Sequence, residues 1–510
     1  MTVLHFTYKS ATAMEKAQET VSDERAPIQK LYHEFGDMTS LHGMRRAVSS
    51  NKCWIRGIWT LLVLVGAGLA LYQFISIVRE FQTSPVSTVV SIKYQPRLEF
   101  PAVTLCNLNP IRLSKASQAI KDLVNGTETL EQQNAKLEEL LSENSTEEKM
   151  LMGHSMEDML IDCKFNGNVC SAKDFSYIYN HKYVNCFTFG YTHSSNNHTR
   201  YTTRTGPING LIMELDIQQF DYIPLTPTAG VKVLLHPDSE TPFPEDGGLI
   251  VGPGFVTSIA ATKVESRRQP FPEGSCVKDT DSKESAYNTI FSSYGHSYSD
   301  NACKKTCYQK KVFKSCNCCD TDYPCLKKVL LDDMNVLDDT AQGKNAPYIP
   351  ICNSSNVESM KCTSQVEKSF WTQDLGCASQ CPPACDQIRY STVISTGVWP
   401  STHFIRHFIR KINESFSYRN TSNDYIANNF LKIQIYYEVL NYVLIETYPA
   451  YDWNKLLSDI GGQLGLWLGC SLLTVIEISQ LGLEILVSLT RKLIRMRRAV
   501  SNYDDNGNAN

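Results

Sequence analysis

Residues 57–78 read GIWTLLVLVGAGLALYQFISIV, 22 consecutive uncharged residues bracketed by Arg56 and Arg79. At about 1.5 Å of rise per residue, a helix of this length crosses roughly 30 Å of hydrocarbon. A cleaved signal peptide is the rival reading, but the stretch starts more than 50 residues into the chain and exceeds the apolar core such a peptide needs. A second apolar segment runs from about Leu456 to Leu489. Asp459, Glu477 and Glu484 interrupt it, with 17 uncharged residues between the first two. Arg45, Arg46, Lys52 and Arg56 precede the first segment, and Arg491, Lys492, Arg495, Arg497 and Arg498 follow the second. An excess of basic residues marks the cytoplasmic side, so both termini are expected inside the cell. The organisation that follows is a cytoplasmic tail at 1–55, a membrane helix at 56–78, an extracellular domain at 79–452, a second membrane helix at 453–489 and a cytoplasmic tail at 490–510.

Two independent features place the middle of the chain outside. Of 18 cysteines, 16 lie between Cys106 and Cys385, an even number that points to disulfides in an oxidising compartment. Zinc is the alternative for Cys316-x-Cys318-Cys319, but the histidines that usually complete such a site are absent nearby, and no metal site is expected. The six sequons, at Asn125, Asn144, Asn197, Asn353, Asn413 and Asn420, all fall between the two apolar segments and none in a tail. Asn-x-Ser/Thr is glycosylated only on the lumenal face, so these are candidate glycosylation sites. The net charge of -4 and the 20% of charged residues give no reason to expect a nucleic-acid partner. No phosphate loop, nucleophile elbow or zinc-protease helix occurs, so neither a catalytic site nor a cofactor is expected.

The second segment has the features of a pore. On one continuous helix at about 100° per residue, Asp459 and Glu477 are roughly a whole number of turns apart, and Glu484 falls about 20° from the same line. Carboxylates in a span are costly unless they face water or a partner. Several copies around an axis would turn this stripe into acidic rings that attract cations. The plainer reading is snorkelling of end charges, which suits Asp459 and Glu484 better than Glu477. Gly461, Gly465 and Gly469 form a stripe of small residues that permits close helix packing. At mid-span, Gly469-Cys470-Ser471 is expected to weaken the helix and free carbonyls, which are tolerated at that depth only where they line a cavity or are buried in protein.

Further motifs resemble the degenerin/epithelial sodium channel superfamily over nearly the whole chain. Thr39-Ser40-Leu41-His42-Gly43, about 14 residues before the first span, is similar to the family's His-Gly motif. Phe100-Pro101-Ala102-Val103-Thr104-Leu105-Cys106-Asn107-Leu108-Asn109-Pro110 is similar to its most specific signature. Cys163-Lys-Phe-Asn-Gly-Asn-Val-Cys170, Asn185-Cys186-Phe187-Thr188-Phe189, the cysteine series from Cys276 to Cys385, Trp399-Pro400 and the run from Leu456 to Ser471 also match.

The resemblance implies a trimer of this chain or of related subunits in the lipid bilayer of the cell membrane, sodium-selective and blocked by amiloride. It implies a membrane α+β fold: two transmembrane helices and a disulfide-rich extracellular β-core bearing helical finger and thumb elements. It places the selectivity filter at Gly469, Cys470 and Ser471, with Cys470 where the family more often has Ala. Pore and gating roles fall to Ser458, Asp459, Glu477, His42 and Gly43. Ser458 takes the position whose small side chain keeps degenerin-type channels from being locked open, and His42 and Gly43 imply a re-entrant segment. Disulfides are implied for Cys106 with Cys186 and for Cys163 with Cys170. A ladder of open connectivity is implied among Cys276, Cys303, Cys307, Cys316, Cys318, Cys352, Cys362, Cys377, Cys381 and Cys385. The chain supports the fold with alternating runs such as Gly230 to Leu235 and a helix-forming stretch from Ala116 to Met152.

Leu215-Asp216-Ile217-Gln218-Gln219 and Asp221-Tyr222-Ile223-Pro224 look like the acid-sensing branch, and the carboxyl tail lacks Pro-Pro-x-Tyr. The histidine that acid-sensing channels carry after the first span is replaced by Val86. Glu138, Glu139, Asp332, Asp333, Asp338 and Asp339 form either a coupled carboxylate pocket or solvated faces. The stimulus therefore stays open between a proton and a neuropeptide, with a constitutively open or mechanically gated channel as alternatives. A purinergic channel lacks the Phe-Pro-Ala-Val-Thr signature, and an adhesion or receptor ectodomain on inert anchors does not account for the carboxylate stripe.

Overall fold

The computed structural model describes residues 31, 34–83, 85–142, 144–190, 200–270, 276–278, 288–291, 296–325, 350–352, 356–415 and 422–507. The chain divides into two compact units, Met1–Val86 with Pro449–Asn510, and Ser87–Tyr448.

The second unit is built on two main sheets. The larger has eight strands among the described residues and is organised around Phe255–Arg267. On one edge that strand pairs antiparallel with Asp386–Val398 along its whole length, from Phe255 with Val398 to Arg267 with Asp386. On the other edge its first half pairs parallel with Phe430–Tyr437 and its second half with Asn441–Pro449. Period-two patterning explains the fit: Phe430, Leu431, Ile433, Ile435 and Tyr437 are buried, while Lys432, Gln434 and Tyr436 are partly exposed. The five-stranded sheet places Ala102–Asn107 and Val184–Phe189 side by side near its centre, and every residue of both is buried. Val103, Leu105 and Phe189 of that sheet share one core cluster with Met213, Ile259 and Ile433 of the other. Each such side chain contributes on the order of 1.5–3 kcal/mol by leaving water.

The stretch expected to be helical forms Gln118–Val124, Leu130–Ser142 and Thr146–Met152. Ser117 caps the first through its contact with the Ile120 N–H, and Ser145 with Glu148 makes a capping box on the third. Two longer helices, Asp300–Cys316 and Val357–Gln373, are stapled directly by Cys316–Cys362. Cys303 and Cys307, one turn apart, bond Cys381 and Cys377. Cys318 bonds Cys352, and Cys276 bonds Cys385 across a separation of 109 residues. Cys106 with Cys186 and Cys163 with Cys170 are also bonded. Cys319 and Cys325, within the same series, form an eighth bridge. The zinc alternative is thereby corrected, since Cys316, Cys318 and Cys319 are all consumed in disulfides. Closing loops of tens of residues is worth roughly 3–5 kcal/mol per bridge in the chain-entropy picture.

Helix Asp300–Cys316 is also tied to the loop after strand Val231–His236 by a buried ion cage. Lys305 Nζ lies 2.9 Å from Glu245 and 3.1 Å from Asp246, over the rings of Phe243 and Tyr323. Burial opposes the charge on Lys305, but Glu245, Tyr323 and Asp246 together outweigh it and hold the ammonium pKa above its ordinary value.

Two histidines are buried in their neutral form. His236 Nδ1–H donates to the Pro237 carbonyl at 2.7 Å, so Nε2 accepts from the Thr104 hydroxyl at 2.8 Å. Asn109 Nδ2 donates to His154 Nε2 at 2.9 Å, so Nδ1–H faces Gln218 Oε1 at 3.1 Å. Burial pushes both down to about 4 from 6.5. An unfolded chain takes up these protons first, so the stability present above pH 6.5 is lost as pH falls through about 4, by up to roughly 3 kcal/mol per histidine. The melting temperature of the detergent-solubilised protein should therefore fall between pH 6.5 and 4, and His154→Gln should flatten part of that slope. An unchanged slope in the variant would contradict this assignment.

Candidate functional site

The first unit contains a long helix, Cys53–Gln82, and a second apolar segment that is not one helix but two, Trp453–Leu468 and Leu472–Gly507. Two of its helices, Cys53–Gln82 and Leu472–Arg491 within the last, are long and apolar enough to cross a membrane. The single span expected at 453–489 is thus corrected. It is interrupted at Gly469, Cys470 and Ser471, and its inner half runs on to Gly507.

The break changes the reading of the carboxylates. Counting 100° per residue from Asp459 to Glu477 assumes an unbroken helix, so their common stripe does not hold; only Glu477 and Glu484 share a face, within the inner half. Asp459 accepts the hydroxyl of Tyr451. Glu484 accepts from Gln480 at 3.0 Å. Glu477 accepts from Thr39 Oγ1 and from the Ser40 N–H, each at 3.1 Å. Ser458 is exposed on the outer half. Gly461 and Gly465 touch no neighbouring atom that a Cβ would meet, so this chain's own packing does not use them.

Local chemistry explains why the helix stops. Gly469 takes φ +60, a left-handed conformation that suits glycine. Its N–H reaches the Gly465 carbonyl at 3.0 Å and the Cys470 N–H reaches Leu464 at 3.1 Å. Beyond the stop, Ser471 caps the inner half: its Oγ accepts from the Thr474 N–H at 3.3 Å, and Thr474 Oγ1 accepts from the Ser471 N–H at 3.1 Å. This is a capping box with threonine in place of the usual glutamate. The amino-terminal segment closes over the break. His42 N–H donates to the Leu468 carbonyl at 3.0 Å, and the His42 ring fills the space that a Cβ on Gly469 would need. Gly43 follows and leads into the short helix Met44–Ser49.

The long helix fits against the outer half at Gly66, where a Cβ would sit 3.1 Å from the Trp467 carbonyl oxygen. Trp467 Nε1 donates to Gln73 Oε1 at 2.7 Å. Gln73 and Thr474 were not singled out in the sequence. Their signals were a lone amide in the first apolar run and a Ser-x-x-Thr spacing after the glycine. Cys470 carries a free thiol. Asn125 and Asn413 are exposed and Asn144 is partly exposed. Asn197, Asn353, Asn420, Asp332, Asp333, Asp338, Asp339 and the side chains of Glu138 and Glu139 lie outside the described residues.

The family profile described as amiloride-sensitive sodium channel matches residues 35–481. Acid-sensing ion channel 4-B of Danio rerio is 31% identical over 479 residues, covering 91% of this chain and 78% of the relative. Acid-sensing ion channel 2 of Rattus norvegicus is 29% identical, covering 92% and 90%. The FMRFamide-activated amiloride-sensitive sodium channel of Cornu aspersum is 25% identical, covering 92% and 84%.

A side chain at Gly469 would meet both a left-handed backbone, at about 1–2 kcal/mol, and the His42 ring. Gly469→Ala should abolish or degrade whole-cell current while surface biotinylation still finds the protein. Wild-type currents from that variant would contradict the packing described.

Proposed function

The chain belongs to the amiloride-sensitive sodium channel family, and on that premise we propose that it forms a trimeric, sodium-selective pore whose narrowest passage is Gly469, Cys470 and Ser471. It is a two-span cation channel of the plasma membrane, not an enzyme, and it uses no cofactor. In this reading both termini are cytoplasmic, amiloride blocks the pore, and three copies or related subunits surround the axis. Ser458, Asp459 and Glu477 belong to the pore and its gate, and His42 with Gly43 forms the re-entrant support beneath the filter.

The observation that carries the proposal is the helix break. Helix ends leave carbonyls without intrahelical partners, and in hydrocarbon these are stable only when buried in protein or turned toward a water-filled path. A ring of such oxygens with the Ser471 hydroxyl can replace part of the hydration shell of sodium. Replacing Ser471 by Ala removes that hydroxyl ligand together with the cap it gives the Thr474 N–H. The expected result is a lower sodium-to-potassium permeability ratio in bi-ionic reversal potentials; an unchanged ratio would remove Ser471 from the filter.

The gating stimulus is extracellular, a proton or a peptide, in keeping with the names of the relatives. A proton-responsive group is available in Glu240, in the loop after strand Val231–His236. Burial, reinforced by Asp300 and opposed by Arg389, pushes its carboxyl up to about 7. It is therefore ionised above pH 7 and neutral below, and Glu240→Gln mimics the acid form. The variant should lose part of the pH dependence of its current between pH 8 and 6, measured by voltage clamp. Identical pH curves would exclude Glu240 as the sensor and leave a peptide as the stimulus to test.

A further inference from the structure

Thr474 has the one fully buried polar side chain among the described residues of the membrane unit. Its place in a capping box explains two of its contacts. It does not explain the third: Ser40, 434 residues away in sequence, brings its Oγ to 2.6 Å from Thr474 Oγ1. Ser40 in turn reaches Glu477, through its N–H at 3.1 Å and its hydroxyl at 3.4 Å, and Thr39 donates to the same carboxylate oxygen.

The chemistry of the end group orders this chain of bonds. A carboxylate only accepts, so the Ser40 hydroxyl donates to Glu477. The Ser40 oxygen is then free to accept, and the Thr474 hydroxyl donates to it at the short distance observed. Thr474 Oγ1 accepts the Ser471 N–H, while the Thr474 N–H holds Ser471 Oγ. The Ser471 hydroxyl lies 3.2 Å from the same Thr474 oxygen and donates to it, so each donor is used once. The Ser471 oxygen retains a lone pair for an ion, in an orientation set from both its backbone and its side chain.

We propose that Thr474 is a positioning residue through which the amino-terminal segment, via Ser40, sets the ion preference of the passage at Ser471. This rests on the reading of residues 469–471 as the filter. The inference is narrower than support of the pore by the His-Gly segment. It assigns one hydroxyl relay, Glu477 to Ser40 to Thr474 to Ser471, and predicts that breaking it at Thr474 or at Ser40 has the same consequence.

The full-length chain is expressed and bi-ionic reversal potentials are measured for Thr474→Val, Thr474→Ser, Ser40→Ala and the Thr474→Val/Ser40→Ala double variant, with Ser471→Ala alongside. Thr474→Val keeps shape and removes the hydroxyl. It should lower the sodium-to-potassium ratio about fivefold, the factor that corresponds to the net worth of one hydrogen bond. Ser40→Ala leaves the capping box intact and should lower the ratio in the same direction. The double variant should be no worse than the single ones, and Thr474→Ser should restore the wild-type ratio. A purely structural role would change surface expression or current size with no shift in reversal potential, and that result overturns the proposal. If Thr474→Val yields no current, Ser40→Ala decides, and a wild-type ratio there overturns it. A shift in Ser471→Ala with none in Thr474→Val or Ser40→Ala would sink the relay and leave the filter standing; no shift in any of the three would sink the filter reading itself.

Discussion

Inside a bilayer every backbone N–H and C=O needs a partner, and the second membrane segment departs from that requirement at one place, Gly469 to Ser471. The departure is tolerated because other parts of the same unit meet it. His42 gives its N–H to the Leu468 carbonyl, Thr474 and Ser471 cap each other, and the His42 ring occupies the space left by the missing side chain of Gly469. Glu477, which would be expensive as an isolated charge, takes hydrogen bonds from Thr39 and Ser40. The break, the partly buried Glu477 carboxylate and the amino-terminal segment are thus one arrangement. Removing the amino-terminal segment leaves the Leu468 carbonyl and the Glu477 carboxylate without these partners.

The extracellular unit is stabilised by different means. Its sandwich core is apolar and continuous between the two main sheets, while its stapled helices contribute few fully buried apolar side chains and rely on disulfides. Helix Val357–Gln373 buries no residue fully and is held to helix Asp300–Cys316 by the Cys316–Cys362 bridge and the packing of Phe370 on Tyr308.

Much of this was legible in the sequence because it depends on local pattern. The apolar run from Gly57 to Val78, the alternation in strands such as Val231–His236 and the helical stretch between Ala116 and Met152 each reflect a period that neighbouring residues set. The glycine at 469 announced a weak point in the helix for the same reason. The carboxylate stripe was misread because its arithmetic assumed the helix that this glycine ends. The ladder's connectivity was not legible, since cysteine spacing does not encode which rungs meet. Nor was the partner of Glu477: Thr39 and Ser40 stood inside a quoted motif, but only folding brings them beside a residue more than 400 positions away.

In the proposed channel the break lies on the path of the permeant ion, and the chain carries its own probe there. Of its cysteines, only Cys53 and Cys470 are free, and Cys470 is the middle residue of the break. Silver ion is small enough to follow a permeant cation and bonds thiols tightly, so it can be applied from outside in chloride-free solution to cells under voltage clamp while amiloride-sensitive current flows. Current should be lost irreversibly in the Cys53→Ser background and protected in the Cys53→Ser/Cys470→Ser variant. Current that survives silver with Cys470 in place would contradict that placement.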